Sequence, residues 1–122
     1  MNKILLIDDD NHFREMFAEL LKREKYEVIE TNDGRNAINL FDLHKPDLVI
    51  TDIIMPDKEG IETILDLKKE NPNAKIIAIS GGGRTNAMDN LRSAKLLGAN
   101  ETFAKPFNNK EILQSISNLI NS

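Results

Sequence analysis

Cysteine is absent from this 122-residue chain, which excludes disulfides and thiolate metal sites and fits a reducing, cytosolic setting. Long apolar runs are absent as well. The longest, Ile4–Ile7 and Ile76–Ile79, fall far short of a bilayer-spanning helix or the apolar stretch of a secretory signal. Nor is there an excess of positive charge. Sixteen basic residues stand against 20 acidic ones, a formal net charge of -4, so the chain offers no electrostatic footprint for nucleic acid or anionic lipid. No linker, repeat, low-complexity segment or break in composition interrupts residues 1–122, a length that suits one domain with a real core and is too short for two. Together these absences describe a soluble, cytoplasmic, single-domain protein that binds neither nucleic acid nor membrane.

What is present is an alternation. Short aliphatic runs at 4–7, 28–29, 48–50 and 76–79 recur between longer segments of helical periodicity, the pattern of βαβ units. Phe13, Met16, Phe17, Leu20 and Leu21 form one helical stripe, and Ile112, Leu113, Ile116, Leu119 and Ile120 form another. Further helices are expected at about 34–43, 58–70 and 84–97, and a fifth strand at about 100–104, with boundaries good to ~2–4 residues. The first, third and fourth strands are continuously apolar, as strands buried on both faces must be. YEVIET at 26–31 alternates and ETFA at 101–104 is short and mixed, so both suit sheet edges. The expected fold is α/β: a doubly wound (βα)5 with a five-stranded parallel sheet of order 2-1-3-4-5.

In such a sheet, ligands bind beyond the carboxyl ends of the strands, where the winding reverses. That point lies between strands one and three, and chemistry gathers around it. Strand one ends in Asp8-Asp9-Asp10, strand three in Asp52, strand four in Ser80, and strand five leads to Lys105. Asp10 or Asn11 serves as a helix cap. Capping does not account for Asp8, Asp9 and Asp52 converging from two adjacent strands. At ~5 Å and an effective dielectric of ~20, each like-charged pair costs roughly 3 kcal/mol. Oxygen ligands without His or Cys suit a hard divalent cation such as Mg²⁺ as the compensating charge.

The acidic pair in LLIDDD, the aspartate in LVITDIIMPDKEG, Ser80 in IIAISG and the lysine in GANETFAKPF resemble, in order and along essentially the full chain, a response-regulator receiver domain of two-component signalling. The single-domain chemotaxis regulators are similar. The resemblance implies a flavodoxin-like fold and a phosphoacceptor function. Asp52 would take a phosphoryl group from a sensor histidine kinase or a histidine phosphotransfer protein. Asp8, Asp9, Asp52 and the backbone carbonyl of Ile54 would hold Mg²⁺, with Asp8 acting largely through bound water. Ser80 and Lys105 would contact the phosphoryl oxygens, and a cis Lys105-Pro106 bond would aim the lysine inward. Met55-Pro56 with Gly60 matches the family's loop after the acceptor. The protein would be a switch rather than an enzyme, catalysing only its own phosphorylation and a slow autodephosphorylation. It would act on an unknown downstream effector as a monomer or weak dimer.

Two features depart from the family pattern or mislead. Thr102 stands where members commonly carry Tyr or Phe. Phe103 cannot replace that ring, because neighbouring strand residues face opposite sides. Output is therefore expected through the loop after strand four and the face of helix four, strand five and helix five. Gly81-Gly82-Gly83-Arg84 lacks the GxxxxGK[ST] spacing of a nucleotide loop and reads as a mobile connection. His12 on a helix and His44 in a loop read as surface residues. Two other classes fit less well. An aspartyl-phosphate phosphatase of the haloacid-dehalogenase kind places a second acid where this chain has Ile54, and carries a cap insertion missing here. A flavodoxin-like FMN carrier would not put three aspartates in its phosphate loop.

Overall fold

The computed structural model describes residues 2–53, 60–81, 92 and 94–122. Five strands form one parallel sheet: β1 (Lys3–Ile7), β2 (Glu27–Thr31), β3 (Leu48–Asp52), β4 (Ile76–Ser80) and β5 (Glu101–Ala104). Their order is β2-β1-β3-β4-β5, as the apolar runs imply. The connecting helices are α1 (Asn11–Arg23), α2 (Ala37–His44), α3 (Gly60–Glu70), α4, of which residues 92 and 94–97 are described, and α5 (Asn109–Ile120).

All five residues of β3 and of β4 are buried, whereas β2 and β5 are partly exposed edges. The two-residue strand period sorts the apolar runs into two cores. Leu5, Ile7, Val49, Ile76 and Ala78 face Ala37 of α2, Ile64 and Leu67 of α3 and Ala94 of α4. Ile4, Leu6, Leu48, Ile50, Ile77 and Ile79 face Phe17, Ala18 and Leu21 of α1 and Ile112 and Ile116 of α5. A strand serving both cores has no solvent face, so it must read as an unbroken aliphatic run.

Local signals set the helix starts. The Asp10 side chain accepts from the Phe13 N–H at 3.1 Å and caps α1. Asn11 is the first helical residue rather than the cap, and its Oδ1 accepts from Arg14 Nη1 at 2.6 Å. At the other end Lys25 takes up φ 72, and the Tyr26 N–H reaches back to the Leu21 carbonyl at 3.2 Å, closing α1 in a left-handed turn. The segment expected as a helix from 34 opens instead as a 3₁₀ turn, Gly34–Asn36, because the Asp33 side chain captures the Arg35 N–H. The α-helix begins only at Ala37, and it runs through His44, which is therefore its last residue and not a loop residue. Asn108 caps α5 by accepting from the Glu111 N–H at 3.1 Å.

One close approach positions the site. The Gly60 N–H donates to the Ile53 carbonyl at 2.6 Å, seating the first turn of α3 on the end of β3. A Cβ built at Gly60 would collide with the Asp52 carbonyl oxygen and lie 2.5 Å from the Ile53 Cα. The obstacle is backbone, which cannot swing aside. Gly60→Ala is expected to lower stability by about 1–3 kcal/mol or more, as overpacking does, and to displace the Asp52 main chain. Denaturant unfolding with amide chemical shifts of Thr51–Ile53 checks this, and wild-type values for both would contradict it.

Candidate functional site

Adjacent parallel strands bring the acids together. Ile7 of β1 lies opposite Thr51 of β3, so Asp8 and Asp52 emerge side by side. Asp52 in turn lies opposite Ile79 of β4, which puts Ser80 one position beyond. The Lys105 N–H donates to the Ser80 carbonyl at 2.7 Å, tying the start of the β5–α5 connection to the end of β4. The Lys105-Pro106 bond is cis.

The lysine points into the acids. Its Nζ lies 2.8 Å from Asp8 Oδ2 and 3.3 Å from Asp52 Oδ2. Asp8 is fully buried and Asp52 is 6% exposed, whereas Asp9 is exposed. One carboxylate oxygen from each of Asp8, Asp9 and Asp52 falls within 4.8 Å of the others. Oxygen donors so spaced, with no nitrogen or sulfur among them, fit a hard divalent cation. Asp8 Oδ1 accepts the Asp10 N–H at 2.9 Å, leaving Oδ2 for the lysine. The Ser80 hydroxyl is fully buried and has no hydrogen-bond partner among the described residues.

Electrostatics divide the pair. Burial raises the Asp8 pKa above its ordinary 3.8; the Lys105 hydrogen bond opposes the rise and the Asp52 charge adds to it. Burial alone would lower Lys105, but its contacts with Asp8 and Asp52 outweigh burial and raise it above 10.5. The ammonium is thus secured at every physiological pH, while one of its two carboxylates is held at a disadvantage.

Of the sequence-derived site residues, Asp8, Asp9, Asp52, Ser80 and Lys105 gather at this crevice. Ile54 lies outside the described residues, as do Met55-Pro56, Gly82-Gly83-Arg84, the expected start of α3 near Lys58 and the expected first residues of α4. His12 is exposed and His44 half-buried, and neither belongs to the acid cluster. Phe103 packs into the core beneath α1 and α5, whereas Ala104 packs against the opposite one. By strand alternation Thr102 shares the side of Ala104, so Phe103 cannot occupy its place.

Sequence reasoning missed Arg14. Its Nη1 donates to the Asp8 carbonyl at 2.8 Å and its Nε to Glu30 Oε1 of β2 at 3.2 Å, fixing the loop that carries the acids. The available signal was the placement of an arginine directly after Phe13, next to the apolar stripe of α1 and one turn from the acidic run.

A family model described as the response regulator receiver domain matches residues 4–117. This chain belongs to that family. The receiver domain is 36% identical over 116 residues to the transcriptional regulatory protein CpxR of Escherichia coli (strain K12), covering 95% of this chain and 48% of that protein. It therefore spans about half the length of the CpxR relatives it matches. It is 34% identical over 116 residues to the chemotaxis protein CheY of Thermotoga maritima, with 94% of each chain covered. The crystal structure of the response regulator TrrA from Thermotoga maritima, in complex with Mg(2+)-BeF, matches with a TM-score of 0.85 at 32% identity, over 98% of this chain and 99% of that one. A receiver domain of two-component response regulators is a signalling module rather than a conventional enzyme. No helix among the described residues is long and apolar enough to cross a membrane.

The raised Asp8 pKa carries a signed consequence. Between the unfolded value of 3.8 and the higher folded one, the native state holds a proton that the unfolded chain releases. The stability contributed by this proton is complete below the unfolded value and lost as pH rises through the folded one. Lys105, also raised, contributes fully below 10.5 and loses its contribution as pH climbs through its folded value. Asp8→Asn should flatten the acid limb and, because the Asp8 contact helps raise Lys105, bring the alkaline loss to lower pH. Metal-free denaturant unfolding at a series of pH values reads both, and an acid limb unchanged in the variant would exclude Asp8 as its source.

Proposed function

We propose that residues 1–122 form one receiver domain that accepts a phosphoryl group on Asp52 from a sensor histidine kinase or histidine phosphotransfer protein, and so controls a downstream partner. The observation that carries this reading is the Lys105 ammonium held by Asp8 and Asp52 beside Asp9, at the point where the sheet reverses its winding.

In this reading the Asp52 carboxylate attacks phosphorus in line, forming an O–P bond as the P–N bond of the phosphohistidine breaks and its electron pair returns to the imidazole nitrogen. The product is a mixed anhydride. Phosphoryl transfer asks the protein chiefly for alignment and for neutralisation of spread negative charge. Lys105 meets one part of that charge with a cation whose position the ion pairs have already set. Ser80 supplies a donor that has no competing acceptor among the described residues. Asp8, Asp9 and Asp52, with the main-chain carbonyl of Ile54 as the sequence resemblance implies, would hold a divalent cation. Mg²⁺ is the choice that the all-oxygen donors favour, and the TrrA structure in complex with Mg(2+)-BeF supports it. When bound, it supplies positive charge to the acids and to the incoming phosphoryl oxygens. The protein acts in the cytoplasm as a monomer or weak dimer, without binding nucleic acid or membrane directly. Beyond its own phosphorylation and slow autodephosphorylation it turns over no substrate.

Acetyl phosphate in the presence of Mg²⁺ should add one phosphate, labile to hydroxylamine, to the wild type and none to Asp52→Asn. Intact-mass spectrometry decides the matter, and equal labelling of the two proteins would remove Asp52 from its role.

A cation that binds only the native site stabilises the fold by mass action, by roughly 2.7 kcal/mol at a hundredfold excess over Kd. Mg²⁺ should therefore raise the wild-type Tm. In Asp9→Ala the metal-dependent rise should shrink, while the metal-free Tm should increase because one repelling charge is gone. Thermal melts with and without Mg²⁺ read both effects, and identical shifts in the two proteins would exclude Asp9 as a ligand.

A further inference from the structure

Lys105 has a third neighbour besides its two carboxylates. The ammonium stands 3.9 Å from the centroid of the Phe13 ring, inside the range at which a cation is drawn to an aromatic face. The ring is itself held firmly. Phe17 packs at 5.7 Å between centroids, and Phe107 meets it edge-on at 6.0 Å with an interplanar angle of 85°. Its backbone N–H is the one that caps α1 on Asp10, so Phe13 is anchored to the loop that carries Asp8 and Asp9. Phe107 follows Lys105 by two residues and also contacts Phe17 at 5.4 Å. The segment after β5 thus grips Phe13 twice, once with an ammonium and once with a ring edge.

We infer that Phe13 is a positioning residue for Lys105, holding the ammonium in the crevice while its carboxylate partners change. The inference rests on the reading of Asp52 and Lys105 given above. In that reading both ion-pair partners are altered in the phosphorylated state. Asp52 loses its charge to the anhydride, and Asp8 turns to the cation. A lysine held only by those two groups would lose its tether at the moment it is needed. The Phe13 face is unaffected by either event. It attracts positive charge through its quadrupole but offers no lone pair, so the ammonium N–H groups stay free for phosphoryl oxygens. A carboxylate in the same place would hold the lysine more strongly, but it would add a fourth negative charge to the crevice. An aliphatic side chain would bury the ammonium against a surface that returns nothing for its lost hydration.

The test compares Phe13→Leu, which keeps an apolar side chain but removes the π face, with Phe13→Tyr, which restores it. Two readouts are used: NMR of the Lys105 ε-methylene in metal-free protein, and the initial rate of acetyl phosphate labelling with Mg²⁺. In the wild type the ε-methylene resonances should be displaced upfield by the ring current. Phe13→Leu should abolish that displacement and slow labelling about three- to tenfold, equivalent to about 0.7–1.4 kcal/mol, within the cation–π range. Phe13→Tyr should recover both. Should Phe13→Leu fail to fold, Phe13→Met carries the same expectation. The proposal is overturned if the wild-type resonances sit at their ordinary position, if the leucine variant labels at the wild-type rate, or if tyrosine does no better than leucine. If the wild type takes up no phosphate, the phosphoacceptor reading fails on its own. The resonance comparison then decides whether the ring holds the lysine.

Discussion

The contact between the Lys105 ammonium and two buried carboxylates is what the crevice is built around. Three carboxylates lie within 4.8 Å of one another, two of them largely withdrawn from water, and among the described residues the Lys105 Nζ between Asp8 and Asp52 offsets their repulsion. The remaining architecture delivers that contact. The sheet aligns the ends of β1 and β3, and the Lys105–Ser80 backbone hydrogen bond sets the lysine beside them. Arg14 pins the Asp8 carbonyl from behind. Buried ion pairs add little net stability once desolvation is counted, so the arrangement is better understood as a charge placed where it is used.

The same logic explains why the two cores are so uniformly aliphatic. With both faces of β1, β3 and β4 packed under helices, the strands have little freedom to shift register, and a slip of one residue would exchange their side chains between the two cores and draw Asp52 out of the crevice. Gly60 extends this rigidity to α3, whose first turn rests directly on the Asp52 backbone. The acids sit at the ends of fixed rods, which holds their spacing.

Much of this was legible in the residues. Unbroken runs against alternating ones gave the sheet order, because burial on two faces leaves a direct mark on composition. The convergence of Asp8, Asp9, Asp52, Ser80 and Lys105 followed from strand ends alone, as did the opposed directions of Thr102 and Phe103. What escaped was set by contacts between distant segments. The 3₁₀ opening before α2 depends on which way the Asp33 side chain turns. The Arg14 bridge joins α1 to β2 and to the acid loop, and the ring beneath Lys105 belongs to a helix at the other end of the chain. An aromatic at a core-facing helical position announces burial, but it does not announce which cation lies above it.

The Ser80 hydroxyl, buried and without a hydrogen-bond partner among the described residues, is a donor placed to receive an acceptor. Leaving a buried donor unmet typically costs about 1–3 kcal/mol. Under the phosphoacceptor reading, a phosphoryl oxygen arriving there would recover a penalty of that size, equivalent to roughly 5- to 150-fold in an equilibrium constant. On that reading, the serine would bias the unmodified protein toward whichever state offers it an acceptor.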